Sequence, residues 1–276
     1  MTWSDFLEIV SYPFVVRALV AGCLISLCAS MLGVILVLKR YALIGHGLSE
    51  VGFAALAVAL ALDLSPLYVA MPLVVAASFG IMLIGRSKRV NGDVAIGVAS
   101  SAALAAGVIV TSVTRGANTD VWNYMFGSVL AMTNEEVALS VALSIFIVVL
   151  FVLFYNRLFL VTYSEDCARS LGVNVEAYQF AISALTALTV VLGMRMMGTL
   201  LISSLVIMPA LTARRLVGSF RALVVAAAVI SPACFCGGLA ASLFLNIPTG
   251  ASVVAVNLAA MFLAGIPAII LRNTQR

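Results

Sequence analysis

His46 is the only histidine of the chain, and Glu50 follows four residues later in the run Leu43-Ile44-Gly45-His46-Gly47-Leu48-Ser49-Glu50-Val51-Gly52. On an α-helix that spacing stacks two side chains on one face. An imidazole nitrogen and a carboxylate oxygen then stand close enough to share one metal ion, and this donor pair suits zinc, manganese or ferrous iron. The plainer alternative is a Glu50 carboxylate that simply bonds to His46. A carboxylate opening an apolar stretch costs about 2.5–3.5 kcal/mol at mid-bilayer and less near an end, so Glu50 needs a partner or water. Two protein donors are too few for a tight site, which suits cargo that must be released. A two-fold dimer would supply a second pair.

Other residues that could do chemistry read more simply as structure. Cys23, Cys28, Cys234 and Cys236 sit inside apolar runs, and only Cys167 does not. Structural disulfides are not expected there, and the Cys234-x-Cys236 pair, although a conceivable soft metal site, reads as packing material. Met194, Met196, Met197 and Met208 lack the histidine support of a thioether ladder and also read as packing. Asp93 precedes an apolar run, where an aspartate caps a helix and complements its dipole. No G-x-x-x-x-G-K-[ST] occurs, and the only lysines are Lys39 and Lys88, so the sequence holds no phosphate-cradling loop. One histidine cannot complete H-E-x-x-H, and no Ser-His motif is visible. The residues point to a transport protein and away from an enzyme, with no cofactor bound by the chain itself.

The elements that must carry His46 and Glu50 are membrane helices. Of 276 residues 64% are hydrophobic and 9% charged, with a mean hydropathy of +1.21, which excludes an ordinary soluble domain. A hydrocarbon core about 30 Å thick takes about 20 apolar residues per helix. Apolar runs near 14–38, 48–62, 66–85, 94–113, 136–156, 177–194, 198–213, 222–245 and 250–271 predict an all-α, polytopic membrane protein forming one domain over residues 1–276. Nine spans is the preferred count. The runs 48–62 and 198–213 are short, and Pro209 interrupts the second, so eight full spans plus a broken one is the alternative. Short or broken helices need protein or a water-lined cavity around them, which places a pathway near these two. The N-terminal run, preceded by Asp5 and Glu8, is unlike a signal peptide and is expected to be retained.

Nine spans with the N-terminus outside put twelve of the fifteen basic residues in inner loops, leaving Arg17, Arg115 and Arg195 at the outer side with Asp63, Asp120, Glu135 and Glu136. Basic residues scattered at the ends of apolar runs form no stripe for nucleic acid. Two connections exceed hairpin length. The outer one, 114–136, carries Trp122 and Tyr124 in a mildly apolar stretch suited to the membrane interface. The inner one, 155–176, contains Ser164-Glu165-Asp166-Cys167-Ala168-Arg169-Ser170-Leu171-Gly172, a short polar helix ending at a glycine. It reads either as a solvated connector or as a docking helix for a cytoplasmic partner.

These segments together resemble the permease subunits of bacterial zinc, manganese and iron importers of the ATP-binding-cassette class. Leu36 to Gly45 is similar to the family's apolar run, basic pair and Ser-Leu-Ile-Gly; Asp93 to Val98 to its Asp-Thr-Ala-Ile-Gly-Ile; and Tyr124 to Leu130 to its Tyr-Leu-Phe-Gly-x-Ile-Leu. Gly198 to Arg214 followed by Ile247 to Ser252 is the most specific match. The resemblance covers nearly the whole chain. It implies a multi-pass protein of the bacterial inner (plasma) membrane and a homodimer of permeases. It further implies a cytoplasmic ATPase on which ATP is hydrolysed, and an extracytoplasmic metal-binding protein that delivers zinc, manganese or iron. It places the ATPase contact on the inner loop, at Ser164, Glu165, Asp166, Ala168 and Gly172. Two departures stand out. The family usually has Asp and then His four residues on, where this chain has His46 and then Glu50; and Ser164 replaces an aspartate usual near the start of the contact loop. A carrier that works without an ATPase is the competing reading, for which His46 and Glu50 would have to relay protons.

Overall fold

A computed structural model describes residues 12–85, 92–114, 134–245 and 247–274. The Asp93 side chain and the Trp122 and Tyr124 stretch lie outside the described residues. Eleven helices and no strand occur among those described: α1 (Pro13–Leu38), α2 (Ile44–Ala61), α3 (Pro66–Gly85), α4 (Gly92–Val113), α5 (Asn134–Leu153), α6 (Tyr155–Tyr163), α7 (Glu165–Ser170), α8 (Val175–Met197), α9 (Thr199–Leu216), α10 (Phe220–Leu245) and α11 (Thr249–Thr274). All except α6, α7 and α11 are long and apolar enough to cross a membrane. In α11 the described apolar stretch, Thr249–Gly265, is shorter than these.

The two doubtful spans turn out whole. α2 begins at Ile44, four residues before the apolar run suggested, because Gly45, His46 and Gly47 continue the helix backwards from it. α9 runs unbroken from Thr199 to Leu216 with Pro209 buried inside it. A proline removes one backbone hydrogen bond, but the buried face formed by Leu205, Val206, Pro209, Ala210 and Ala213 holds the helix together across the gap.

α1, α2 and α8 are the most deeply buried spans, whereas α3, α4 and α5 lie outside them. Ile25, Leu32 and Ile35 of α1, Leu48 and Leu56 of α2, and Leu192, Met194 and Met196 of α8 are fully enclosed; the packing reading holds for Met194, Met196 and Met197, while Met208 is only partly buried. Between α1 and α9 the backbones touch: a Cβ on Gly33 would lie 1.8 Å from the Val206 carbonyl oxygen. In hydrocarbon, where lipid competes equally for apolar surface, such close approach is what holds helices together.

Polar ties gather at the two ends of the bundle. At one end Arg17 donates to Asn134, and Arg195 donates through Nε and Nη2 to Glu136 Oε1 at 3.0 and 2.8 Å. At the other, Lys39 Nζ meets Glu165 Oε1 at 2.8 Å and Arg157 Nη1 donates to Tyr178 Oη at 2.9 Å. Arg17, Arg195 and Glu136 at one end and Lys39 and Arg157 at the other are groups that the charge asymmetry sorted to opposite sides.

Candidate functional site

α2 starts without a side-chain cap, directly after the turn that leaves α1. Its residues Gly45, Leu48, Ser49, Gly52, Phe53 and Leu56 are buried against neighbouring helices. His46 and Glu50 lie on the face left over, their side chains 57% and 17% exposed. His46 Nε2 stands 3.1 Å from Glu50 Oε1. Two donors held at about 2.1 Å from one tetrahedral ion are about 3.4 Å apart, so an ion can enter between these atoms with a shift of a few tenths of an ångström. Ser49 adds no donor, because its hydroxyl is buried and donates to the His46 carbonyl at 2.7 Å. Among the described residues no third His, Cys, Asp or Glu joins the pair. The described residues therefore supply one nitrogen and one oxygen, His46 exposed and Glu50 partly covered.

The inner loop is more completely built. Ser164 caps α7 by accepting from the Cys167 amide at 3.3 Å. At the far end the Gly172 amide donates to the Arg169 carbonyl and the Val173 amide to the Ala168 carbonyl, both at 3.0 Å, with Gly172 at φ +75°. This paired closure requires a left-handed residue at position 172, and Val173 completes it by packing on Ala168. Ala168 is fully enclosed with Val161 and Val175, so it seats α7 on its own chain. Glu165 accepts from Lys39 and, at 2.6 Å, from Gln179 Nε2. Burial pushes the Glu165 carboxyl up, but the bond and charge of Lys39, then Gln179 and Arg169, together outweigh it and hold the group below the usual carboxylate range. Of the five residues picked out in this loop, Asp166 is the acid left facing outward, while Ser164, Ala168 and Gly172 shape the helix. Lys39 and Gln179 escaped sequence reading because nothing local marks them as partners of Glu165. Leu171, 66% exposed beside Gly172, also escaped it; an apolar residue on so polar a helix was the available signal.

The two features are joined through the chain. Lys39, bound to α7 through Glu165, caps α1; Arg40 then takes a left-handed φ of 61°, and Tyr41 to Leu43 lead straight into α2. A non-glycine residue in that conformation costs about 1–2 kcal/mol, which the Tyr41 amide bond to the Leu36 carbonyl at 2.9 Å helps to hold. Four residues, 40–43, separate Lys39 and its ion pair from the helix that presents His46.

A model of the ABC 3 transport family matches residues 11–268. The high-affinity zinc uptake system membrane protein ZnuB of Haemophilus influenzae is 30% identical over 238 residues, 86% of this chain and 91% of that one. The manganese transport system membrane protein MntC of Halalkalibacterium halodurans is 26% identical over 251 residues, 91% of this chain and 86% of that one. In three dimensions the chain resembles PsaBC from Streptococcus pneumoniae, solved in complex with Fab, with a TM-score of 0.85, 24% identity and 95% of each chain covered.

Proposed function

The chain belongs to the ABC 3 transport family, and we propose that it is the permease of an importer that passes a divalent transition metal ion into the cytoplasm. The observation that carries this reading is the nitrogen and oxygen pair 3.1 Å apart on the open face of α2. Imidazole and carboxylate together favour zinc, manganese or ferrous iron over harder cations, and the relatives named above are zinc and manganese systems. Two donors hold an ion loosely, and a second copy of the chain, related by a two-fold axis, doubles them to four as the ion passes. The permease then works as a homodimer in the bacterial inner membrane and receives its ion from an extracytoplasmic metal-binding protein.

The sequence contains no phosphate-binding loop, so the energy comes from a separate cytoplasmic ATPase. Its contact is α7, with Asp166 and Leu171 outward and Glu165 tied to Lys39. Movement of α7 pulls on the end of α1 through that ion pair, and the four residues from Arg40 to Leu43 pass the displacement to α2, which carries His46 and Glu50. The metal is cargo here, and the chain's own work is to present two donors, withdraw them and open the way inward.

In cells lacking other uptake routes, His46→Ala and Glu50→Ala should each reduce accumulation of radioactive zinc or manganese by at least about tenfold, while the permease still co-purifies with its ATPase. Unchanged accumulation in both variants would overturn the assignment of the pair.

A further inference from the structure

Cys23 in α1 and Cys236 in α10 are far apart in sequence, yet their sulfurs lie 3.4 Å from each other. Both are half-buried and both are free thiols. Cys234, which the Cys-x-Cys spacing would pair with Cys236, is buried. The helix contact around the two sulfurs is tight. The Phe235 ring lies so close over Gly22 that a Cβ there would be 2.2 Å from it, and Ser231 Oγ donates to the Ser26 carbonyl at 2.8 Å. Neighbouring ties therefore hold the sulfurs within reach of a bond of about 2.05 Å, and closing it takes an approach of a little over 1 Å with no rearrangement of the helices.

We propose that Cys23 and Cys236 form a reversible interhelical disulfide that staples α1 to α10 within the membrane. The site's depth selects its oxidant. Cys23 is ten residues into α1 and Cys236 nine residues from the end of α10, about 15 and 14 Å along helices that rise 1.5 Å per residue, near the middle of a hydrocarbon core about 30 Å thick. Charged, water-soluble oxidants are excluded from that depth. A neutral, membrane-soluble acceptor that takes two electrons and two protons reaches the pair through the hydrocarbon. Two thiols lose two hydrogens, one sulfur–sulfur bond forms, and the acceptor leaves reduced, a quinone as its hydroquinone or an azo compound as its hydrazine. The packing around the sulfurs already joins the two helices, so the bond adds to an existing contact and raises resistance to unfolding.

The full-length protein in lipid nanodiscs, treated with the membrane-permeant azo compound diamide, should become lighter by two hydrogens per bond. It should yield a linked peptide containing Cys23 and Cys236, and its thermal unfolding midpoint should rise and return with dithiothreitol. Cys234→Ser should keep the linked peptide, whereas Cys23→Ser and Cys236→Ser should lose it and the shift in midpoint. Charged, impermeant tetrathionate should leave the pair reduced. Free Cys23 and Cys236 in the parent protein after prolonged diamide treatment, or linkage of either to Cys234 instead, would overturn the proposal. Equal reaction with tetrathionate would overturn the assigned depth and oxidant class. The parent protein's own peptide map decides the matter even if a serine variant folds poorly.

Discussion

At the residue scale, the His46 and Glu50 pair owes its geometry to helical spacing, which is indifferent to the order of the two donors. The resembled family places the carboxylate first, and this chain places it second. The exchanged double variant His46→Asp with Glu50→His should therefore restore metal uptake to within about threefold of the parent, whereas each single change should lower it at least about tenfold; an inactive double variant would show that each position needs its own donor. A second residue-scale test concerns backbone contact. Gly33→Ala drives a methyl into the Val206 carbonyl and should cost about 1–3 kcal/mol, seen as a lower unfolding midpoint in detergent. Gly80→Ala, with nothing within 4 Å of the added carbon, should leave the midpoint unchanged.

At the scale of elements, α7 is short and depends on its ends. Gly172→Val must adopt a left-handed backbone at a cost of about 1–3 kcal/mol, whereas Gly172→Asn should be tolerated better. A nitroxide on the exposed Cys167 reads the result: valine should sharpen its spectrum and weaken retention of the ATPase, with asparagine close to the parent. The same label tests Glu165. Its carboxyl is held below the usual range, so its contribution is present above the unfolded-chain value and is lost as pH falls through the lowered folded value. Acidification over that window should mobilise the label, and Glu165→Gln should give the mobile spectrum already at neutral pH. A label as immobile in the glutamine variant as in the parent would remove Lys39 to Glu165 from the coupling route.

For the whole molecule, an ATPase-driven permease predicts that the chain purified alone turns over no ATP, and that the assembled complex has the mass of two permeases with two ATPases. Turnover by the isolated chain, or a complex containing one permease, would contradict it. The class of the protein and most of its spans were legible in sequence, because burying a helix in hydrocarbon demands long apolar runs that composition alone exposes. So was the i, i+4 donor pair, since it is local to one helix, and so was the glycine that ends α7. The start of α2 at Ile44 and the continuity of α9 through Pro209 were not, because packing by neighbours overrides the local signals of glycine and proline. Contacts between distant segments were also illegible: Lys39 with Glu165, Glu136 with Arg195, and Cys23 with Cys236. Sequence determined which groups could act and on which helices they ride; only the tertiary structure decided which of them meet, because pairing across tens or hundreds of residues is set by how whole helices pack and leaves no periodic trace in the chain.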